Sequence, residues 1–145
     1  MKTNTPKHIN ILIIDDDIFY NNLLAKKILN LRQKPGINNQ FDLNIKQFFK
    51  PDKFLYMIEQ NNDLSSTTIA FIDYYLGHKI NGLQLVYLLE ELNKNIKTVL
   101  ISQSEKIIKK IKVPSTKKHS FIKIRKHEYT PDICCTIIEN HINNL

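Results

Sequence analysis

The sequence predicts an α/β protein built on a parallel sheet with helices on both faces. Three observations predict it. Strand-like runs alternate with stretches of helical spacing five times, the pattern that a parallel sheet with crossover helices produces. The runs Ile9–Ile14 and Ile69–Ile72 are apolar at nearly every position, as strands buried on both faces are. Four of the five runs end on chemically reactive side chains, where open α/β sheets place their ligands.

Met1–His8 is polar and reads as a frayed end. Ile9–Ile14 is the first strand, closed by Asp15-Asp16-Asp17. Ile18–Leu31 has Ile18, Leu23 or Leu24, Ile28 and Leu31 near helical spacing, with Asp17 as the N-cap. Pro35-Gly36 is expected to end that helix. Phe41–Phe48 alternates through Phe41, Leu43 and Ile45 as a second strand. Pro51 opens a helix to about Glu59, and Asn61-Asn62-Asp63 reads as loop.

Ile69–Ile72, the third strand, runs into Asp73, with Gly77 and Asn81-Gly82 as turn signals beyond it. Leu83–Leu92 is helical, with Leu83, Val86 and Leu89 as core. Thr98–Ile101 is a strand ending at Ser102, and Glu105–Ile111 a short basic helix stopped before Pro114. Phe121–Ile124 is a fifth strand leading to Arg125-Lys126. Thr130-Pro131-Asp132 then supplies an N-cap and first turn for a last helix to about Ile142.

A chain of 145 residues, 42% apolar and 24% charged, fits one domain with one core over 1–145. No apolar run approaches the ~20 residues of a membrane span, and no secretion signal is evident. The adjacent Cys134 and Cys135, in a helical stretch, make a poor disulfide framework. A reduced, cytoplasmic setting follows as the expectation. His8, His78, His119, His127 and His141 lack metal-binding spacing and read as surface residues.

The net charge is +7, but Arg32 and Arg125 are the only arginines. That argues against a sequence-reading DNA protein, which uses arginine forks, and points to acidic partners in general. The run Lys106, Lys109, Lys110, Lys112, Lys117, Lys118, Lys123, Arg125 and Lys126 reads as a solubilising face or as a dock for an acidic partner.

Right-handed crossovers bring the strand ends to one rim, and with them Asp15, Asp16, Asp73, Ser102 and a lysine, Lys123 or Lys126. Carboxylates gathered there repel unless a cation joins them. Hard oxygen ligands without His or Cys suit Mg²⁺. A carboxylate nucleophile beside Mg²⁺, a hydroxyl and an ammonium could accept and hold a phosphoryl group. The plainer reading makes the acids a helix cap with dipole-favoured neighbours.

With these residues in place, the sequence resembles the receiver domains of two-component response regulators over Ile9–Ile142. The segments INILIIDDD, TIAFIDYYLGHKINGLQL, TVLISQSE and FIKIRKHEYTPD carry the likeness. The resemblance implies a doubly wound, flavodoxin-like five-stranded sheet in the order 2-1-3-4-5. It implies Asp15 and Asp16 as the acidic pair, with Asp16 preferred as the direct Mg²⁺ ligand. Asp73 would be the phospho-acceptor and a ligand, the Tyr75 carbonyl a further ligand, and Ser102 the hydroxyl that contacts the phosphoryl group. Lys126 has the better spacing to the Thr130-Pro131 helix start, while Lys123 suits a shorter strand.

The implied function is that of a stand-alone receiver, a signalling module and not an enzyme. A histidine kinase or phosphotransfer protein would phosphorylate Asp73, and a downstream protein target would dock through the basic 105–126 face. No output domain is expected. Several positions depart from the family pattern. Gly77 stands where receivers have proline, Gly82 lies one residue further along, and Gln103 replaces a small residue. The position three before the lysine (Lys123 or Ser120) is not aromatic, although Phe121 could serve from a shifted register. Two other functions compete. A haloacid dehalogenase-type phosphatase would use the Asp-x-Asp, but Asp132 and Glu139 in the last helix are isolated where that family needs an acidic pair at a strand end. A pseudo-receiver would bind partners without phosphorylation.

Overall fold

A computed structural model describes residues 5–60, 67–77, 79–92, 96–112 and 121–145. In order they form β1 (Lys7–Ile14), α1 (Ile18–Arg32), α2 (Pro35–Asn38), β2 (Phe41–Phe48), α3 (Pro51–Gln60), β3 (Thr67–Asp73), α4 (Gly82–Leu92), β4 (Ile96–Ser102), α5 (Glu105–Lys110), β5 (Ile122–Arg125) and α6 (Thr130–Asn143). The sheet has the order β2-β1-β3-β4-β5, and every pairing is parallel. This is the doubly wound, flavodoxin-like topology expected from the sequence.

The continuous apolar runs serve two cores at once, because successive strand side chains point to opposite faces. Ile9, Ile11 and Ile13 of β1 pack with Leu24, Ile28, Leu31, Cys134, Ile138 and Ile142 of α1 and α6. Leu12 and Ile14 pack on the other face with Phe54, Ile58, Leu85, Val86 and Leu89 of α3 and α4. Among the described residues no helix is long and apolar enough to cross a membrane.

Several local expectations need correction. The first strand begins at Lys7, inside the stretch read as frayed, because Lys7 and His8 pair in register with Phe41 and Asp42. His8 Nδ1 also lies 3.0 Å from Asp42 Oδ2. Pro35-Gly36 begins a helix instead of ending one. α1 already stops at Arg32, and Pro35 takes the first-turn position of α2, where its missing N–H costs nothing. Ile18 is 63% exposed, so the buried stripe of α1 is Leu24, Ala25, Ile28 and Leu31. Leu83 is only half-buried, whereas Val86 and Leu89 are core.

At the start of α6 the cap position is Tyr129, which makes no side-chain cap bond. The Thr130 hydroxyl instead accepts from the His127 N–H and donates to the Arg125 carbonyl, both at 2.8 Å. That ties the β5–α6 turn together. Cys134 is buried and Cys135 half-buried, both as free thiols; burial pushes both thiols up, Cys135 to about 11. His141 is half-buried, contrary to its reading as a surface residue, and burial holds its imidazole below the usual range. The loop 61–63, His78, Pro114, Lys117, Lys118, His119 and Ser120 lie outside the described residues.

Candidate functional site

The three consecutive acids after β1 divide their work. Asp17 caps α1, its carboxylate accepting the Tyr20 N–H at 3.2 Å. Asp15 is buried, and one of its oxygens accepts the Asp17 N–H at 2.9 Å. Asp16 is exposed. Asp73, the last residue of β3, is buried beside them. One carboxylate oxygen from each of Asp15, Asp16 and Asp73 can be chosen so that all lie within 4.8 Å of one another. The parallel sheet brings these strand ends together as the sequence predicted.

Backbone staples hold the rim. The Asp15 N–H donates to the Phe48 carbonyl at 3.1 Å, continuing the β1–β2 ladder. The fully buried Asn21 amide donates to the carbonyls of Asp15 and Phe48, each at 3.0 Å. The Gln47 amide in turn donates to Asn21 Oδ1 at 3.0 Å and Asn22 Oδ1 at 2.9 Å. Sequence reading missed Asn21 and Gln47. The available signal was a polar residue at position 21 on the helical face that carries Leu24, Ala25 and Ile28.

The two candidate lysines part company. Lys126 Nζ donates to Asp15 Oδ2 at 2.8 Å and lies 3.6 Å from Asp73 Oδ1, with its side chain 4% exposed. Its N–H donates to the Ser102 carbonyl at 2.8 Å, extending the β4–β5 pairing onto the rim. Lys123 Nζ instead donates to the carbonyls of Ile108 and Ile111, both at 2.7 Å. It satisfies end-of-helix acceptors on α5. Only Lys126 joins the carboxylates.

Ser102 is buried at the end of β4, one residue beyond Ile101, the register partner of Asp73. Its hydroxyl accepts the Ser104 N–H at 3.2 Å. Ser104, not Ser102, caps α5 by accepting the Ile107 N–H at 3.3 Å. The side chains of Gln103 and Tyr75 are exposed, and the Tyr75 ring meets Tyr74 edge-on at 5.0 Å.

The loop after β3 depends on two glycines. Gly77 has φ +65°, and a Cβ there would sit 2.9 Å from Asp16 Oδ2. A Cβ on Gly82 would collide with the Asp73 carbonyl oxygen. The Gly82 N–H donates to the Tyr74 carbonyl at 2.9 Å, so the longer loop still returns α4 onto the end of β3.

Burial dominates the electrostatics. It pushes the Asp73 carboxyl up to about 7, helped by the negative charge of Asp15 and opposed by Lys126. Asp15 is likewise raised by burial, against the hydrogen bond and charge of Lys126. One ammonium therefore does not neutralise the cluster. An all-carboxylate oxygen set with excess negative charge fits a hard divalent cation such as Mg²⁺, which Asp15, Asp16 and Asp73 could hold. Tyr20, also missed from sequence, closes the site from α1. Its ring centroid lies 4.3 Å from Lys126 Nζ, and its hydroxyl, held up to about 12 by burial, donates to the His127 carbonyl at 3.1 Å.

No protein-family model and no curated protein matches the sequence. Solved structures do match. A response regulator receiver domain protein from Clostridium thermocellum is 15% identical with a TM-score of 0.69, covering 94% of this chain and 95% of its own. A response regulator receiver protein from Sinorhizobium medicae is 16% identical with a TM-score of 0.69 and the same two coverages, 94% and 95%. The response regulator TrrA from Thermotoga maritima, solved in complex with Mg²⁺-BeF, is 13% identical with a TM-score of 0.64, covering 90% of this chain and 96% of its own. The chain thus has the fold of the response-regulator receiver domains.

Proposed function

We propose that this chain works as a receiver, taking a phosphoryl group from a phosphohistidine on a histidine kinase or phosphotransfer protein onto Asp73. The observation that carries the reading is the buried Lys126 ammonium set between Asp15 and Asp73, with the Asp16 carboxylate completing the cluster. An Asp73 oxygen forms the new O–P bond as the P–N bond breaks, and the bonding pair leaves on the imidazole nitrogen. Lys126 and the Ser102 hydroxyl are assigned to the equatorial phosphoryl oxygens. Asp15, Asp16, Asp73 and the Tyr75 carbonyl are assigned to Mg²⁺, which when bound supplies charge neutralisation for carboxylates and phosphoryl group together. The chain is read as a cytoplasmic signalling module and not an enzyme. The charge gained at Asp73, about −2 when fully ionised, biases the surface toward a downstream protein.

A phosphatase of the haloacid dehalogenase type is disfavoured by the late acids. Asp132 and Glu139 lie within α6, in ion pairs with Lys27 at 3.2 Å and Lys34 at 3.1 Å, and neither belongs to a strand. One observation favours a second reading, a phosphorylation-independent binding module. Lys123 occupies the position three before Lys126, where receivers carry a switch aromatic, and it is fastened to α5.

Intact mass after incubation with acetyl phosphate separates the two. The receiver reading expects one phosphoryl adduct that needs Mg²⁺ and disappears in Asp73→Asn. A folded wild type that gains no adduct, and whose amide signals ignore Mg²⁺ with beryllofluoride, sinks it in favour of the binding module.

A further inference from the structure

Lys126 has a third neighbour that the acidic cluster does not explain. Its ammonium touches Asp15 at 2.8 Å and Asp73 at 3.6 Å, and the face of the Tyr20 ring lies 4.3 Å from the same nitrogen. A cation over an aromatic face is attracted by the ring quadrupole, most strongly where water is excluded. Lys126 is buried and Tyr20 half-buried, so the contact is of that kind.

The ring is itself anchored. The Tyr20 hydroxyl donates to the carbonyl of His127, the residue that follows Lys126, at 3.1 Å. His127 is held in turn, its N–H donating to Thr130 Oγ1 at 2.8 Å, and that hydroxyl donating to the Arg125 carbonyl at 2.8 Å. Tyr20 therefore grips the β5–α6 turn at backbone and side chain, next to the lysine that, among the described residues, reaches the carboxylates. A lysine stem has several freely rotating bonds, and a wall on its open side removes orientations that leave the site.

We propose that Tyr20 is a positioning residue: its ring holds the Lys126 ammonium over Asp15 and Asp73 and so sets the rate at which Asp73 accepts a phosphoryl group. The kinetic half rests on the receiver reading; the placement of the lysine does not. With acetyl phosphate as donor, an Asp73 oxygen bonds to phosphorus, the P–O bond to acetate breaks, and the pair leaves on acetate. The step moves no proton. The ring, not the hydroxyl, is the part that matters to the ammonium.

The test compares the full chain with Tyr20→Phe and Tyr20→Leu. In proton NMR the Lys126 ε-methylene signals are displaced upfield by the ring in wild type and Tyr20→Phe, and return to ordinary lysine positions in Tyr20→Leu. The initial rate of Mg²⁺-dependent adduct formation stays within about twofold in Tyr20→Phe and falls about tenfold in Tyr20→Leu. Rescue by phenylalanine separates positioning from a general loss of packing. Tyr20→Met replaces the leucine variant if that one does not fold. Undisplaced Lys126 signals in wild type overturn the proposal, and so does an aliphatic variant phosphorylated at the wild-type rate. A wild type that takes no phosphoryl group, and whose amide signals ignore Mg²⁺ with beryllofluoride, removes the receiver reading, while the NMR arm still decides whether Tyr20 places the lysine.

Discussion

The acidic rim and the basic α5 side handle charge in opposite ways. At the rim, Asp15, Asp73 and Lys126 are buried, and among the described residues three carboxylates share one ammonium. On the α5 side the sequence has a long run of positive charge, yet the structure spends or balances much of it. Lys123 binds helix-end carbonyls, and Lys126 has left for the rim. Glu105 pairs with Lys109 at 3.1 Å and approaches Arg125 at 3.8 Å, so the face has an acidic counterweight. Lys106, Lys109, Lys110 and Lys112 remain exposed on this side. Charge that is buried and unbalanced points to chemistry; charge that is exposed or used as a cap mostly points to solubility.

The sharpest break comes from removing the cation of the buried pair. Lys126→Met should cost about 3 kcal/mol of unfolding free energy without metal, because Asp15 loses its partner while staying buried. Denaturant unfolding measures this, and the adduct should also be lost. Lys123→Met should cost only about 1 kcal/mol, through the α5 carbonyls, and leave adduct formation intact. The reverse ranking would overturn the assignment of Lys126.

Asp73→Asn tests the unbalanced charge itself. Asp73 is raised in the folded protein to about 7 from an ordinary 3.8, so the native state holds its proton more tightly than the unfolded chain. The resulting penalty is absent below the unfolded value, and stability falls as pH rises between about 4 and 7. At pH 8 without metal, Asp73→Asn should therefore be more stable than wild type, by up to about 4 kcal/mol. Below pH 4 the difference should vanish. Mg²⁺ should reduce it at pH 8, and thermal melts across pH with and without the ion read both effects. The smallest effect belongs to the exposed side: Glu105→Gln should change stability by less than about 0.5 kcal/mol and leave the adduct unaltered.

Most of the fold was legible because a strand buried on both faces must be apolar throughout, as Ile69–Ile72 is. The parallel crossovers then fix which ends share a rim. Asp15, Asp16, Asp73 and Ser102 were accordingly visible as strand-end residues. The four-residue α2 was not, because so short a helix is held by its surroundings, with Ile37 buried against the α1–α6 core. The choice between Lys123 and Lys126 was open for a different reason. Side chains of a strand alternate faces, so two lysines three residues apart point to opposite sides, and the strand boundary decides which reaches the rim. Tyr20 left no local signal at all. Its contact with Lys126 joins the start of α1 to the end of β5, and only the folded chain brings them together.

The most direct test of the central claim is an amide chemical-shift map on adding Mg²⁺ with beryllofluoride. A working acceptor site predicts shifts centred on Asp15, Asp16, Asp73, Ser102 and Lys126, spreading to Tyr20 and His127, and absent in Asp73→Asn. A folded protein with no shifts there, or with shifts confined to the exposed lysines of α5, would contradict it.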